Sequence, residues 1–545
     1  MLTLNRDSIR DSLENREGWA AADVAVPSFD VDKMIAETRE SPVWIHFGAG
    51  NIFRGYIAAL QQRLIESGGA SSGIVAAETF DDEIIERIYK PHDSLTLLVS
   101  LMPDGRMQKE IIASIAYGVT AASPDGLAEL KRLFAKPSLQ MVSYTITEKG
   151  YALTDIKGEP LPIFAADAKA GPSNARHAMS ITAALLLERY HAGALPIALV
   201  SMDNCSHNGE KLQSAVWAIA DAWRGNGVVG DGFIQYLHDE SKVSFPWSMI
   251  DKITPRPDAQ VQAALTKAGI GGMDVVVTGK STYIAPFVNA ESPQYLVVED
   301  RFPNGRPPLE DAGVYMTDRD TVNRTETMKV TTCLNPLHTA LAVFGCLLGY
   351  ERISDEMGDA DLKRLVERIG YQEGMPVVVD PGIISPRAFI KEVVEERFPN
   401  PFMPDTPQRI ATDTSQKIPI RFGETIKRYI VSDDLDVSSL ECIPLVLAAW
   451  ARYLLGVGDD GRPMPISPDP MLDMLRNQLA GVEPGDPSSY SGQLRSMLAN
   501  VNIFGADLIQ AGLADKTEGF FIEMLHGPGA VRAALHRAAS ERSLD

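Results

Sequence analysis

The chain has 545 residues, too many for one core and enough for two or three domains, and its composition is ordinary for a globular protein at 45% hydrophobic and 23% charged. A formal net charge of −21 argues against nucleic acid or an anionic membrane as partner, because either needs a basic footprint. Cys205, Cys333, Cys346 and Cys442 lie far apart, with no C-x-x-C and no histidine pair at ligand spacing, so no disulfide framework or zinc site is expected.

The N-terminus, MLTLNRDSIRDSLENREG, is too polar for a signal peptide, and no apolar run is read as long enough to span a membrane. A reducing cytoplasm is the expected compartment. Residues 42–47, PVWIHF, form an apolar run ending in Gly-Ala-Gly; a helical pattern, IAALQQRLIESG, and a second apolar run, GIVAAETF, follow. This is strand, glycine turn, helix, strand. Two more apolar runs, LQMVSYTIT and LPIALVSMD, read as buried parallel strands, with residues 174–192 helical between them. From about residue 325 the spacing turns helical, in TALAVFGCLLGY, DLKRLVERIGY, SSLECIPLVLAAWARYLLG and DPMLDMLRNQLAG; the Pro/Gly-rich stretch 302–313 reads as a linker or surface loop just before the change. The expected organisation is α/β: a Rossmann-like dinucleotide-binding domain over 1–324, then a mostly helical domain over 325–545.

The turn HFGAGNIFRG places Gly48 and Gly50 directly after a strand, where bare backbone N–H groups can approach a pyrophosphate at a helix N-terminus. The third glycine, Gly55, departs from G-x-G-x-x-G spacing, and a plain strand-to-helix turn is the competing reading. Glu78, at the end of the second strand, can accept from ribose hydroxyls and would repel a 2′-phosphate, which favours NAD over NADP; Asp81 and Asp82 are rivals for that role. Asn51 and Arg54 complete the expected cofactor set, Arg54 either lying along phosphate or merely solvated.

Three polar knots follow. Asp203, Asn204, His207 and Asn208 come just after an apolar strand, either as site residues or as an Asx turn and helix cap. FPWSMIDKITPRPD, residues 245–258, sets Ser248, Asp251, Lys252 and Arg256 between prolines without clean periodicity and reads as a functional loop. MKVTTCLNPLHTALAVFG, residues 328–345, holds Lys329, Asn335 and His338. Asn335 and His338 share a helix face, but Lys329 is nine residues from His338, which at about 100° per residue is half a turn out of phase. Either the trio is not a site or the segment is not a regular helix; Pro336 at the first helical position with Asn335 as cap, or a π-bulge absorbing one residue, would break the regularity. The chemistry suits ketone reduction, which needs a proton donor and N–H donors to a developing oxyanion.

Together these segments resemble the polyol-specific long-chain dehydrogenase family, whose members act on mannitol, fructuronate and tagaturonate. FPWSMIDKITP resembles the family's F-x-x-S-x-V-D-R-I-x-P signature, with Ile250 for Val and Lys252 for Arg. MVSYTITEKGY, SMDNCSHNGEK and PDTPQRIATDTSQKIP resemble three further family segments, so the likeness runs from residue 42 to about 430. The resemblance implies NAD(P), no metal, Lys329 as general acid/base, and Asn335 with Asn204 or Asn208 at the oxyanion. It also implies that His338, Asp251, Arg409 and Lys417 contact substrate or hold the lysine. Two departures stand out: five residues separate Lys329 from Asn335 where the family usually has four, and the glycine turn is closer to the much shorter mannitol-1-phosphate dehydrogenases. Arg409, Lys417 and Arg421 could clamp a hexuronate carboxylate, or pair with Asp405 and Asp413. The expected reaction is NADH-dependent interconversion of fructuronate and mannonate, in a monomer or small homo-oligomer acting on a sugar acid or polyol. Tagaturonate reduction and mannitol oxidation stand behind it, and a non-catalytic NAD-binding protein further back.

Overall fold

Strands that are largely apolar and buried on every residue have to be covered on both faces, and the first half of the chain builds such a sheet. The structure, a computed structural model, describes residues 1–10, 13–155 and 157–540. It divides into two compact units, one of Met1–Met102 and Arg106–Asn323, the other of Pro103–Gly105 and Arg324–Asp545.

The first unit carries six parallel strands: β1 (Trp44–Phe47), β2 (Ile74–Glu78), β3 (Ile115–Thr120), β4 (Met141–Tyr144), β5 (Ile197–Ser201) and β6 (Val243–Ser244). Their order across the sheet is β6-β5-β4-β1-β2-β3. The order reverses between β1 and β4, and ligands of such sheets bind beyond the carboxyl ends of the strands at that switch point. Period-2 alternation splits the strand residues between two cores. Ile45, Phe47, Val75, Ala77, Val142, Tyr144 and Leu199 face one layer, while Trp44, Ile74, Ala76, Met141, Ala198 and Val200 face the other. The helices that pack there include α1 (Ala58–Glu66), α2 (Ala178–His191) and α3 (Asn208–Gly225).

β3 is a strand that the apolar runs do not announce. Its edge position leaves Tyr117 and Gly118 half-buried, so it lacks a continuous apolar stretch. The segment expected to be a functional loop at 245–258 is corrected: Ser248–Asp251 is a buried strand, antiparallel to Tyr295–Glu299. All four residues are buried, which removes the alternation that would have announced it. The stretch 302–313 lies inside the first unit and ends in a short helix, Leu309–Ala312, with Leu309 fully buried.

The second unit is helical. α4 (Arg319–Met328) passes into it and is followed by α5 (Asn335–Leu348), which Gly349 closes in the left-handed region at φ 79°. Helices Ala360–Glu367, Cys442–Tyr453 and Leu472–Gln478 occupy the other segments with helical spacing. The expectation about apolar length is corrected: the helical run Arg319–Leu348 is long and apolar enough to cross a membrane by length and composition. Thr331, Asn335, Pro336 and His338 interrupt its apolar residues, yet no charge falls between Lys329 and Leu348. Its most apolar window is 78% buried inside the protein, as a core helix is.

Candidate functional site

In the first unit, β1 runs into Gly48-Ala49-Gly50, and the helix after it begins at Asn51. Gly48 has φ +102°, and a Cβ there would stand 2.1 Å from the Thr145 carbonyl oxygen. A Cβ on Gly50 would meet nothing within 4 Å, so its bare backbone borders open space at a helix N-terminus. These residues fit a pyrophosphate. Glu78 ties the end of β2 to the turn: one carboxylate oxygen accepts from Ala49 N–H at 3.0 Å, the other from Thr79 and Phe80 N–H at 2.9 Å and Asp81 N–H at 3.3 Å. Burial raises its pKa and these four N–H groups oppose the shift. A ribose hydroxyl would share those oxygens. Of the rivals, Asp81 accepts from the Thr278 hydroxyl at 2.6 Å, while Asp82 keeps one buried oxygen without a hydrogen-bond partner.

Arg54 is a correction. It is not a solvated first-turn arginine; it is fully buried, donating to the Ala285 carbonyl at 2.7 Å and to the Asn51 side chain at 2.8 Å. Three residues along a helix put it on the same face as Asn51, so it holds the turn from beneath. His46, which the sequence reading did not single out, holds the turn from β1. Trp44 Nε1 donates to Ser143 Oγ at 2.7 Å, and Ser143 Oγ is 2.6 Å from His46 Nδ1. His46 Nε2 in turn is 2.8 Å from Thr145 Oγ1. Burial lowers its pKa to about 3, so the ring is neutral and these partners favour a proton on Nε2.

The knot after β5 separates its two asparagines. Asn208 is buried and its amide is committed to Ser248: Nδ2 donates to the Ser248 carbonyl at 2.9 Å and Oγ at 3.0 Å, and Oδ1 accepts from Ser248 N–H at 3.0 Å. A third Nδ2 contact, 3.0 Å to the Asp203 carbonyl, closes the loop. The expectation of Asn208 at an oxyanion is therefore corrected; it is the staple between the loop and the buried strand. Asn204 is exposed. Asp251 is buried at the end of that strand, and Lys252 reaches the Glu291 carbonyl and Gln294 Oε1.

In the second unit, Lys329 is buried and opens a π-helical turn, Lys329–Cys333. The Leu334 N–H bonds back five residues to the Lys329 carbonyl at 3.1 Å, the spacing of a π turn. The turn absorbs one residue, so Lys329 and His338 are separated as if by eight, about 80° around the axis instead of half a turn. The cap also differs from expectation: Leu334, at φ −130°, leaves helical space, and Asn335 is the first residue of α5 with Pro336 second.

His338 is neutral, its pKa lowered to about 3 by burial first and then by Arg421, Arg409, Arg397 and Lys417. Its buried Nε2 lacks a hydrogen-bond partner and lies 3.6 Å from Asp405 Oδ2, beyond a good bond. Arg421 ends α7 (Thr414–Arg421; α6 is Pro407–Ile410) and donates to Thr339 Oγ1 at 2.6 Å, with the Asn335 carbonyl at 3.5 Å. Burial lowers its pKa to about 10. Lys417 donates to the Ile410 carbonyl at 3.0 Å and to the Thr412 carbonyl; burial first, then Arg421, lowers its pKa to about 8. Arg409 takes the ion-pair alternative, binding Asp405 with most of its side chain exposed. The structure thus gathers His338, Lys417 and Arg421, spends part of Arg409 on Asp405, and adds Arg397, which no local pattern distinguishes.

Two family models match the chain: the mannitol dehydrogenase Rossmann domain over residues 42–311 and the mannitol dehydrogenase C-terminal domain over 321–518. A D-mannonate oxidoreductase of Thermotoga maritima is 52% identical over 538 residues, 98% of either chain. Among solved structures, the Pseudomonas fluorescens mannitol 2-dehydrogenase, in ternary complex with NAD and D-mannitol, is 26% identical with a TM-score of 0.68, covering 99% of this chain and 100% of that one. A substrate-free D-sorbitol dehydrogenase, at 24% identity and a TM-score of 0.75 over 94% of this chain and 98% of its own, shares the fold.

Proposed function

Because the chain belongs to the mannitol dehydrogenase family, we propose that it interconverts D-mannonate and D-fructuronate with NAD, moving the hydroxyl proton through Lys329. The observation that carries this reading is the π turn, which sets a buried lysine ahead of Asn335 and a neutral His338 in one helical unit. A sugar acid, as against a neutral polyol, is supported by Arg397, Lys417 and Arg421 gathered about His338 in a protein of net charge −21 and by the 52% identity to a D-mannonate oxidoreductase. A reducing cytoplasm is the compartment this reading implies.

Gly48, Gly50 and Asn51 would hold the pyrophosphate and Glu78 the ribose, while bound NAD supplies the hydride acceptor. In oxidation the substrate hydroxyl gives its proton to Lys329 Nζ, and the Asn335 amide donates to the oxygen as negative charge builds on it. In reduction Lys329 returns the proton to the carbonyl oxygen. His338 Nε2 has an unmet hydrogen-bonding capacity that a substrate hydroxyl would satisfy, and Lys417 and Arg421 hold the carboxylate.

NADH oxidation followed by absorbance, with fructuronate, tagaturonate and fructose in parallel and NADPH as control, tests the reading. Turnover with fructuronate and little with fructose is expected. Turnover with fructose alone overturns the sugar-acid assignment, tagaturonate alone moves it to the epimer, and silence with all three despite tight NADH binding means a non-catalytic protein. Lys329→Ala should cut turnover by about 10²–10⁴-fold with NADH binding kept; equal loss of both would sink the assigned role.

A further inference from the structure

The loop after β4, Thr145–Tyr151, flanks the point where strand order reverses, and it is gripped from both neighbouring strands. From β1, His46 Nε2 meets Thr145 Oγ1 at 2.8 Å. From the end of β5, the Asp203 carboxylate reaches across: Oδ2 accepts from Ile146 N–H at 2.9 Å and from the Tyr151 hydroxyl at 2.6 Å, and Oδ1 accepts from Thr147 N–H at 2.8 Å. Thr147 itself stands at φ 63° and ψ 160°, a region that belongs to glycine and costs any other residue strain. Among the described non-glycine residues with positive φ it is the β-branched one, where the clash is worst. A carboxylate that collects two successive N–H groups of a strained turn holds the backbone in a shape it would otherwise leave.

We propose that Asp203 is a positioning residue for the dinucleotide: its carboxylate holds the strained loop at Thr147 as a preset wall of the cofactor crevice. The inference rests on the reading of the glycine turn as the nucleotide site, which this loop adjoins through Thr145 and Gly48. The Asp203 carboxylate bonds the loop at Ile146, Thr147 and Tyr151, so its effect on the cofactor runs through the loop.

The test is NADH affinity of the full-length protein, by titration of tryptophan fluorescence, alongside thermal midpoint. Asp203→Asn offers one acceptor oxygen where two are needed, so one N–H faces an amide donor. Its NADH Kd is expected to rise about tenfold, equivalent to about 1.4 kcal/mol, and adding Thr147→Gly, which removes the strain, is expected to recover most of that loss. A role confined to stability would lower the midpoint, leave Kd alone and show no rescue; that result overturns the proposal. Should Asp203→Asn not fold, Tyr151→Phe removes one of the three bonds and should raise Kd about threefold; an unchanged Kd there refutes it equally. Gly50→Ala is the separate control. If it leaves NADH affinity intact, the nucleotide-site reading fails; if it weakens binding while Asp203→Asn does not, only the present inference fails.

Discussion

Replacing Asn208 with alanine should unfold the protein more easily without touching its chemistry. The side chain makes four hydrogen bonds: three from Nδ2, to the Asp203 carbonyl, the Ser248 carbonyl and Ser248 Oγ, and one to Oδ1 from Ser248 N–H. Ser248 Oγ keeps its bond to the Ser201 carbonyl, so truncation leaves one buried donor, Ser248 N–H, without its side-chain acceptor. An orphaned donor costs about 1–3 kcal/mol, and the lost bonds add roughly 0.5–1.5 kcal/mol each without adding fully, so about 3 kcal/mol is expected. At about 2 °C per kcal/mol for a unit of this size, the thermal midpoint should fall by roughly 6 °C. Differential scanning fluorimetry measures that, and steady-state kinetics at 25 °C should show kcat within about twofold. If the exposed Asn204 takes the oxyanion place instead, Asn204→Ala makes the opposite pair: a smaller fall in midpoint than Asn208→Ala and turnover reduced about 10²-fold, the usual loss of one oxyanion donor. If Asn208→Ala loses turnover while keeping its midpoint, the assignment of the two asparagines is inverted and the geometric reasoning fails.

Lys417 carries a pH dependence with a definite sign. Its pKa is lowered from 10.5 to about 8, so the folded protein sheds a proton that the unfolded chain keeps; stability should rise between pH 8 and 10.5, and Lys417→Met should stabilise most below pH 8. The same lysine discharges as pH passes about 8, so KM for a uronate should climb there in the native enzyme and not in Lys417→Met. His338, at about 3, should contribute no step to the pH–rate profile between pH 5 and 8; a step removed by His338→Gln would show that the ring titrates there. Gly48→Ala should abolish NADH binding, because its Cβ would lie 2.1 Å from the Thr145 carbonyl, and fluorescence titration of soluble variant protein would detect retained affinity.

Hydrophobic periodicity was enough to read the parallel sheet and the change to helices, because the strands flanking the switch point are buried on every residue and mostly apolar, and the later helices repeat at 3.6. β3 and the strand Ser248–Asp251 were not readable, one for having an edge too polar and the other for having no exposed face to alternate. At the second unit's site, counting residues from Lys329 to Asn335 exposes an irregular helix, but it does not choose between a proline start and a π-bulge. That choice belongs to the packing of Lys329–Cys333, whose side chains apart from Val330 are buried.

Residue types and spacing alone determined which groups could do the chemistry: a lysine, an asparagine and a histidine before an apolar helix, and two glycines after a strand. Tertiary structure decided which of them are engaged elsewhere. Arg54 faces inward because helix geometry stacks it under Asn51, and Asn208 is consumed by a strand forty residues away. Arg409 is paired while Lys417 has its pKa lowered, because charge and burial depend on neighbours that local sequence does not contain. The positioning residues His46 and Asp203 lay in plain view in the sequence, but their roles exist only where three strands lie side by side.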